Sequence, residues 1–187
     1  MNAISQHAVS GLTSGWQTYF FYFMVYSLGG WLLENGASLL EKHQRKEDFL
    51  KGPFKPMYGL APVALILLRD WGTPWAVLVP LLFIIPTAVE YVSGVLLLGL
   101  FQKRWWDYTG FPAQIHGHIC LIYTGIWGVL SLACLLWLHP AVIRLYGIVA
   151  PVWSSLAIPV VVYLLADAAV TFRIFRRNSR LAGAQRV

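Results

Sequence analysis

The sequence predicts an all-α fold: a polytopic membrane helix bundle of about five transmembrane helices, with a parallel repeat of two helical hairpins plus one extra C-terminal helix. Three observations predict it. Of the 187 residues, 58% are apolar and only 12% are charged, about half the charged share of a soluble domain. The apolar residues gather in stretches close to the ~20 residues that cross a bilayer. Lys and Arg collect in alternate connections, as topology signals do. Nine Trp, nine Tyr and ten Phe agree, because amphipathic rings favour the headgroup boundary.

The spans fall at residues 16–40, 54–68, 75–101, 113–138 and 151–172. The second is short, rising only ~22 Å, and should thin the bilayer. The third is long, at ~40 Å, and holds Pro80 and Pro86, so it should tilt or break. Residues 141–150 include Arg144 and are too few to span, so they read as a surface piece. The whole chain, 1–187, forms one membrane domain with repeat units at 16–69 and 75–138, the extra helix at 151–172 and a basic tail at 173–187. The N-terminus has no basic n-region or clear cleavage site, so the first span is expected to remain.

Orientation follows from the connections. Lys42, Arg45, Lys46, Lys51 and Lys55 lie after the first span, Lys103 and Arg104 after the third, and Arg173, Arg176, Arg177, Arg180 and Arg186 in the tail. Only Arg69 and Arg144 fall on the other side. The richer side is expected to be cytoplasmic, which puts the N-terminus outside and the C-terminus inside. The same distribution accounts for the net charge of +6 and argues against nucleic acid as a partner. Cys120 and Cys134 share one apolar run; on a helix they stand ~21 Å apart, too far for a disulfide.

The repeat rests on two matched segments. Gly52-Pro53-Phe54-Lys55-Pro56-Met57-Tyr58-Gly59 resembles Gly110-Phe111-Pro112-Ala113-Gln114-Ile115-His116-Gly117, and Gly52 and Gly59 pair with Gly110 and Gly117 at a constant offset of 58. Glu34 and Glu90 pair at an offset of 56. Both glutamate spans run in the same direction, so the pseudo-twofold axis would lie along the membrane normal.

The two glutamates are the leading candidates for chemistry. Glu90 lies ~20 Å of helix before Lys103, near the bilayer centre. A carboxylate there costs at least ~2.5 kcal/mol on insertion scales, so it needs an interior position and a partner. Ser27, Gly30, Trp31 and Glu34 share one helical face, and Thr87, Glu90, Ser93 and Gly94 share another. Carboxylates brought to a common axis would favour sharing a proton or a cation; the alternative is a structural hydrogen bond to a Tyr, Trp or His. Trp106, Asp107 and Tyr108 read either as a headgroup or cation site or as an aromatic belt with a local Asp–Arg pair, and composition favours the belt. His116 and His118 would diverge on a helix, so a proton-handling histidine beside a glutamate is preferred to a metal ligand, and no metal is assigned. Asp167 is expected to pair with a basic residue. No nucleotide-binding loop, serine-nucleophile elbow or zinc-protease motif is present, so ATP-driven activity needs a separate subunit. No cofactor is implied.

Gly30-Trp31 with Glu34, then Phe49-Leu50-Lys51-Gly52-Pro53 with Pro56-Met57-Tyr58-Gly59, resembles the CmpB-like family of type IV ABC-transporter permeases. Glu90, Trp106-Asp107-Tyr108 and Gly117 with Ile119-Cys120-Leu121 extend the resemblance over residues 20–128. Glu47-Asp48 stands in place of an expected Arg-Gly, and Gln114 in place of the usual Asn. The resemblance implies a small multi-pass bacterial membrane protein.

Three functions compete. In the first, the chain is a permease-like transport component for a small molecule or lipid. Glu34, Glu90, Trp31, Tyr58, Trp106, Asp107, Tyr108, Gln114 and His116 would form its substrate or ion-coupling site, framed by Gly30, Gly52, Pro53, Pro56, Gly59 and Gly117. Five helices enclose little space, so a homodimer is expected. In the second, it is a membrane-embedded enzyme acting on a lipid or isoprenoid, with Glu90, His116 and Asp107 as acid, base or headgroup ligand. In the third, it is a non-catalytic accessory protein that binds membrane lipids.

Overall fold

A computed structural model describes residues 15–40 and 50–184, with side chains for 15–36 and 50–177. Lys42, Arg45, Lys46, Glu47, Asp48, Phe49 and Arg186 lie outside the described residues, as does the side chain of Arg180. The elements are α1 (Gly15–Leu40), α2 (Pro56–Asp70), α3 (Trp75–Phe101), a small antiparallel ladder of β1 (Gln114–Ile115) and β2 (Ile119–Cys120), α4 (Leu121–Ala133), a π-helical turn (Cys134–Leu138) and α5 (His139–Ala184).

Local chemistry sets the boundaries. Pro56 opens α2 at a position that has no use for an N–H donor. The helix closes at Trp71 and Gly72, the latter at φ 83°, where a side chain would be strained. α3 starts after extended Pro74 and ends at Gln102, whose left-handed backbone donates to the Leu98 carbonyl. It remains one helix through Pro80 and Pro86, so the break expected from those prolines does not occur. The carbonyls they leave without donors are tolerated beside packed neighbours; Leu82 and Pro86 are both buried.

Glycines let the helices approach. A Cβ on Gly59 would meet the Phe23 carbonyl oxygen at 2.6 Å, one on Gly30 would collide with the Tyr58 ring, and one on Gly128 with the Phe83 ring. Small residues at such crossings are the usual basis of tight helix contact in apolar surroundings. α3 and the run from Leu121 to Arg177 are long and apolar enough to cross a membrane. Only 22% and 11% of their most apolar windows are buried, so their apolar surface faces outward, unlike that of a soluble core helix.

The basic residues gather at one end, called here the basic end. Asp167 of α5 meets the backbone at Gly52, Phe101 packs on Phe172 and Phe175, and Lys103 stands over Phe175. At the opposite end Phe21, Tyr22, Leu65, Leu78, Leu135 and Tyr146 belong to a closed apolar cluster. That cluster corrects the expectation for residues 141–150. They are helical, and Val142, Tyr146 and Ala150 are buried in it. Arg144 on the exposed face suggested a surface piece, yet the other face of the same helix is apolar.

α5 cannot run straight. Along α1 it meets Tyr26 through His139, Thr18 through Tyr146 and Gln17 through Trp153. Tyr163 then packs on Phe54, one residue from Lys55, whose N–H bonds the Ser27 carbonyl. Its course along α1 reverses within the stretch that holds Pro151 and Pro159, each of which removes a helix hydrogen bond. The fourth predicted span also needs correction: residues 113–120 form a turn and hairpin, and the helix begins at Leu121. The matched repeat segments therefore differ in conformation. Gly59 lies inside α2, whereas Gly117 sits in the hairpin at φ 71°.

Candidate functional site

Glu90 sits in the middle of α3 with 2% of its surface exposed. The helix directs it between α4 and the connection 102–120. Tyr108 Oη donates to its Oε1 at 2.9 Å and Trp127 Nε1 to its Oε2 at 2.9 Å. Both donors are neutral, and among the described residues Glu90 meets no cationic side chain. An ionised carboxylate would be a buried charge without a counter-ion, an arrangement that favours a proton or a cation.

Glu34 is held differently. It forms an ion pair with Lys55 from the turn before α2, and its side chain is 38% exposed. Tyr58 stands between the two carboxylates: its ring packs edge-on against Trp127 at 5.4 Å and lies against Gly30, one turn before Glu34. The Lys55–Glu34 pair and the Glu90 cluster are thus bridged by the Tyr58 and Trp127 rings. Gly30 permits it, because any side chain there would displace the Tyr58 ring. Tyr108 stacks on Tyr123 with centroids 4.6 Å apart.

The connection 102–120 delivers Tyr108. Trp106 Nε1 donates to the His118 carbonyl at 2.9 Å, Arg104 to the His116 carbonyl at 3.0 Å, and the Tyr108 N–H to the Gly117 carbonyl at 2.9 Å. Gln114 Oε1 accepts from Gly117 N at 2.6 Å. A Cβ on Gly117 would meet Arg104 Nη1 at 2.6 Å and Asp107 Oδ1 at 2.7 Å, so the knot closes only around glycine. Asp107 accepts from Thr109 N at 3.0 Å and faces Arg104 at 3.7 Å. The Thr109 N–H holds its carboxyl below the usual range, with Arg104 adding to the effect. The local Asp–Arg pair is present, but Tyr108 turns inward to Glu90 and Trp106 pins the hairpin, so an aromatic belt does not describe the triplet.

The structure thus joins Glu34, Tyr58, Glu90 and Tyr108, and sets the other candidates apart. Trp31 supplies its carbonyl to Asn35. His116, at φ 54°, pairs through Nδ1 with Tyr91 Oη at 2.9 Å. His118 is buried against Gly94; burial lowers its pKa, and the Arg104 charge lowers it further. Both imidazoles flank the Tyr91 ring because the segment is a hairpin and not a helix. Neither reaches a glutamate, so the proton-handling histidine beside Glu90 or Glu34 is replaced by Tyr108, Trp127 and Lys55. Asp167 also departs from expectation. Its partners are the N–H groups of Gly52, at 3.0 Å, and Lys51, at 3.3 Å, not a basic side chain. A Cβ on Gly52 would crowd Tyr163 Oη at 2.6 Å. Among the described residues no group of three or more His, Cys, Asp or Glu is arranged to hold a metal.

Sequence reasoning missed Lys55 and Trp127. Lys55 was counted only as a topology charge, although it lies one turn before Tyr58 in a proline-bounded elbow. Trp127 is an indole inside an apolar span, a position where its N–H requires an acceptor.

Membrane-length apolar helices around an acid-and-aromatic core define an all-helical protein with two candidate membrane spans. The family described as "Putative ABC-transporter type IV" matches residues 21–172, and the chain belongs to it. No curated protein and no solved structure matches the chain.

Proposed function

We propose that this chain is a permease-like transport component for a small molecule or lipid, working with a separate ATP-binding subunit in the bacterial inner membrane. In this reading five helical segments cross the bilayer, counting the π-linked α4 and the part of α5 after its bend separately, and the basic end faces the cytoplasm. Two such chains assemble around the transported molecule. One observation carries the reading: the Lys55–Glu34 pair of the first helical hairpin and the buried Glu90 of the second are bridged by the packed rings of Tyr58 and Trp127 inside an apolar bundle. Intramembrane carboxylates are costly and mark substrate or ion pathways. The enzyme alternative has less support, because Glu90, His116 and Asp107 each turn to a different partner.

The test is to purify the tagged full chain with whatever ATP-binding protein accompanies it and to measure ATP hydrolysis in proteoliposomes. Glu90→Gln is expected to keep the complex and to lower chain-dependent hydrolysis at least tenfold. Full activity in that variant would make Glu90 a structural acceptor only. A chain that copurifies with no ATP-binding protein would remove the transport reading.

A further inference from the structure

The hairpin carrying His116 lies deep beside α3. Tyr108 reaches Glu90, Tyr91 pairs with His116, and His118 packs on Gly94. Tyr91 is ten residues before the end of α3 at Phe101, or ~15 Å of helix. If α3 spans the bilayer as proposed above, this non-helical segment stands within the thickness of the membrane. Irregular backbone at that depth is tolerated only when covered by protein or polar solvent. Yet Ile115 is 52% exposed, His116 is exposed, and the Arg104 side chain is 38% exposed.

Beside this polar notch runs a groove of about 330 Å³ between Phe83, Ile84, Ala88, Tyr91, Ile119 and Thr124. Thr87 donates to Thr124 at 3.2 Å, so the two hydroxyls satisfy each other and the groove is apolar. From Phe83 to Tyr91 it follows ~12 Å of helix. Its Tyr91 end opens on His116, with Arg104 bound to the His116 carbonyl. Arg104 meets the His116 carbonyl and Asp107 through Nη1, whereas a guanidinium carries five N–H donors in a fork suited to phosphate. Asp107, the nearby anion, is held by Thr109.

We propose that this groove holds one acyl chain of an anionic phospholipid from the leaflet at the basic end, with its phosphate against Arg104 and His116. The headgroup covers the exposed hairpin that hydrocarbon cannot solvate, and the chain fills the apolar channel. The inference rests on the membrane-spanning reading, and on nothing about transport.

Native mass spectrometry of the detergent-purified full chain, incubated with phosphatidylglycerol or phosphatidylcholine, tests it. The wild type is expected to retain phosphatidylglycerol preferentially. Ala88→Trp, which fills the groove and leaves Arg104 and His116 in place, should abolish that retention. Arg104→Gln should lower it about tenfold, the loss of one charge-assisted contact. Leu165→Trp, on an exposed face of α5, should leave it unchanged, and millimolar inorganic phosphate should not displace the lipid. Equal retention of the two lipids, or retention unaffected by Ala88→Trp, would overturn the proposal. So would displacement by free phosphate. A chain released from membranes by alkaline carbonate would sink the spanning reading itself, whereas a chain that stays embedded yet binds both lipids alike sinks only this inference.

Discussion

The two hairpin units, α1–α2 and α3–α4, each place a glutamate on their first helix and treat it in opposite ways. Glu34 is part-exposed and neutralised by Lys55, which a short elbow places beside it. Glu90 is buried, and its two oxygens accept from Tyr108 and Trp127. The difference arises in the connections. The turn Gly52–Lys55 leads into Pro56 and brings Lys55 to Glu34. The connection 102–120 folds into a hairpin and returns a tyrosine to mid-helix. A charge near the end of a bundle can be met by another charge, whereas this one at its middle is met by fixed neutral dipoles.

Three experiments can break or sharpen this contrast, beginning with the largest effect. Glu90→Leu leaves the Tyr108 hydroxyl and the Trp127 N–H buried without an acceptor, and should cost about 3 kcal/mol in equilibrium unfolding of the purified chain. A loss below about 1 kcal/mol would put the two glutamates on the same footing. Gly59→Ala comes next, at about 2 kcal/mol, because the added Cβ meets the Phe23 backbone carbonyl, which cannot swing aside. Its counterpart Gly128→Ala should cost less, since the Phe83 ring is 36% exposed and can rotate away; thermal unfolding of the two variants side by side decides the order.

Glu34→Gln should change stability by no more than about 1 kcal/mol, as expected for a solvent-screened pair. Raised salt should erase that difference in the same unfolding measurement.

Much of this was legible in the chain itself. The third apolar stretch was read as 75–101 and is a helix over the same residues, because strong hydropathy bounded by Pro74 and Gln102 leaves little choice. The second was placed two residues early, at 54 and not Pro56, since Phe54 is apolar but precedes the proline that opens the helix. Of the two glutamate faces, Ser27, Gly30, Glu90 and Gly94 are buried, while Trp31, Glu34, Thr87 and Ser93 are half-buried. Residues 113–120 were misread as helix. Their left-handed Ala113, His116 and Gly117 depend on contacts with Arg104, Trp106 and Asp107, which periodicity does not register. Residues 141–150 do present an exposed face around Arg144, but Val142, Tyr146 and Ala150 on the other face are buried, which the shortness of the stretch concealed.

The sequence by itself determined that the chain is helical, apolar and asymmetric in charge, and that two glutamates stand where a carboxylate is expensive. Those are properties of local composition and of helical period, which need no knowledge of what lies opposite. What each glutamate faces, which rings pack between them and where α5 turns back depend on the folded arrangement. Such pairings are made between residues far apart in the chain, and their energies depend on burial and distance that no single segment encodes.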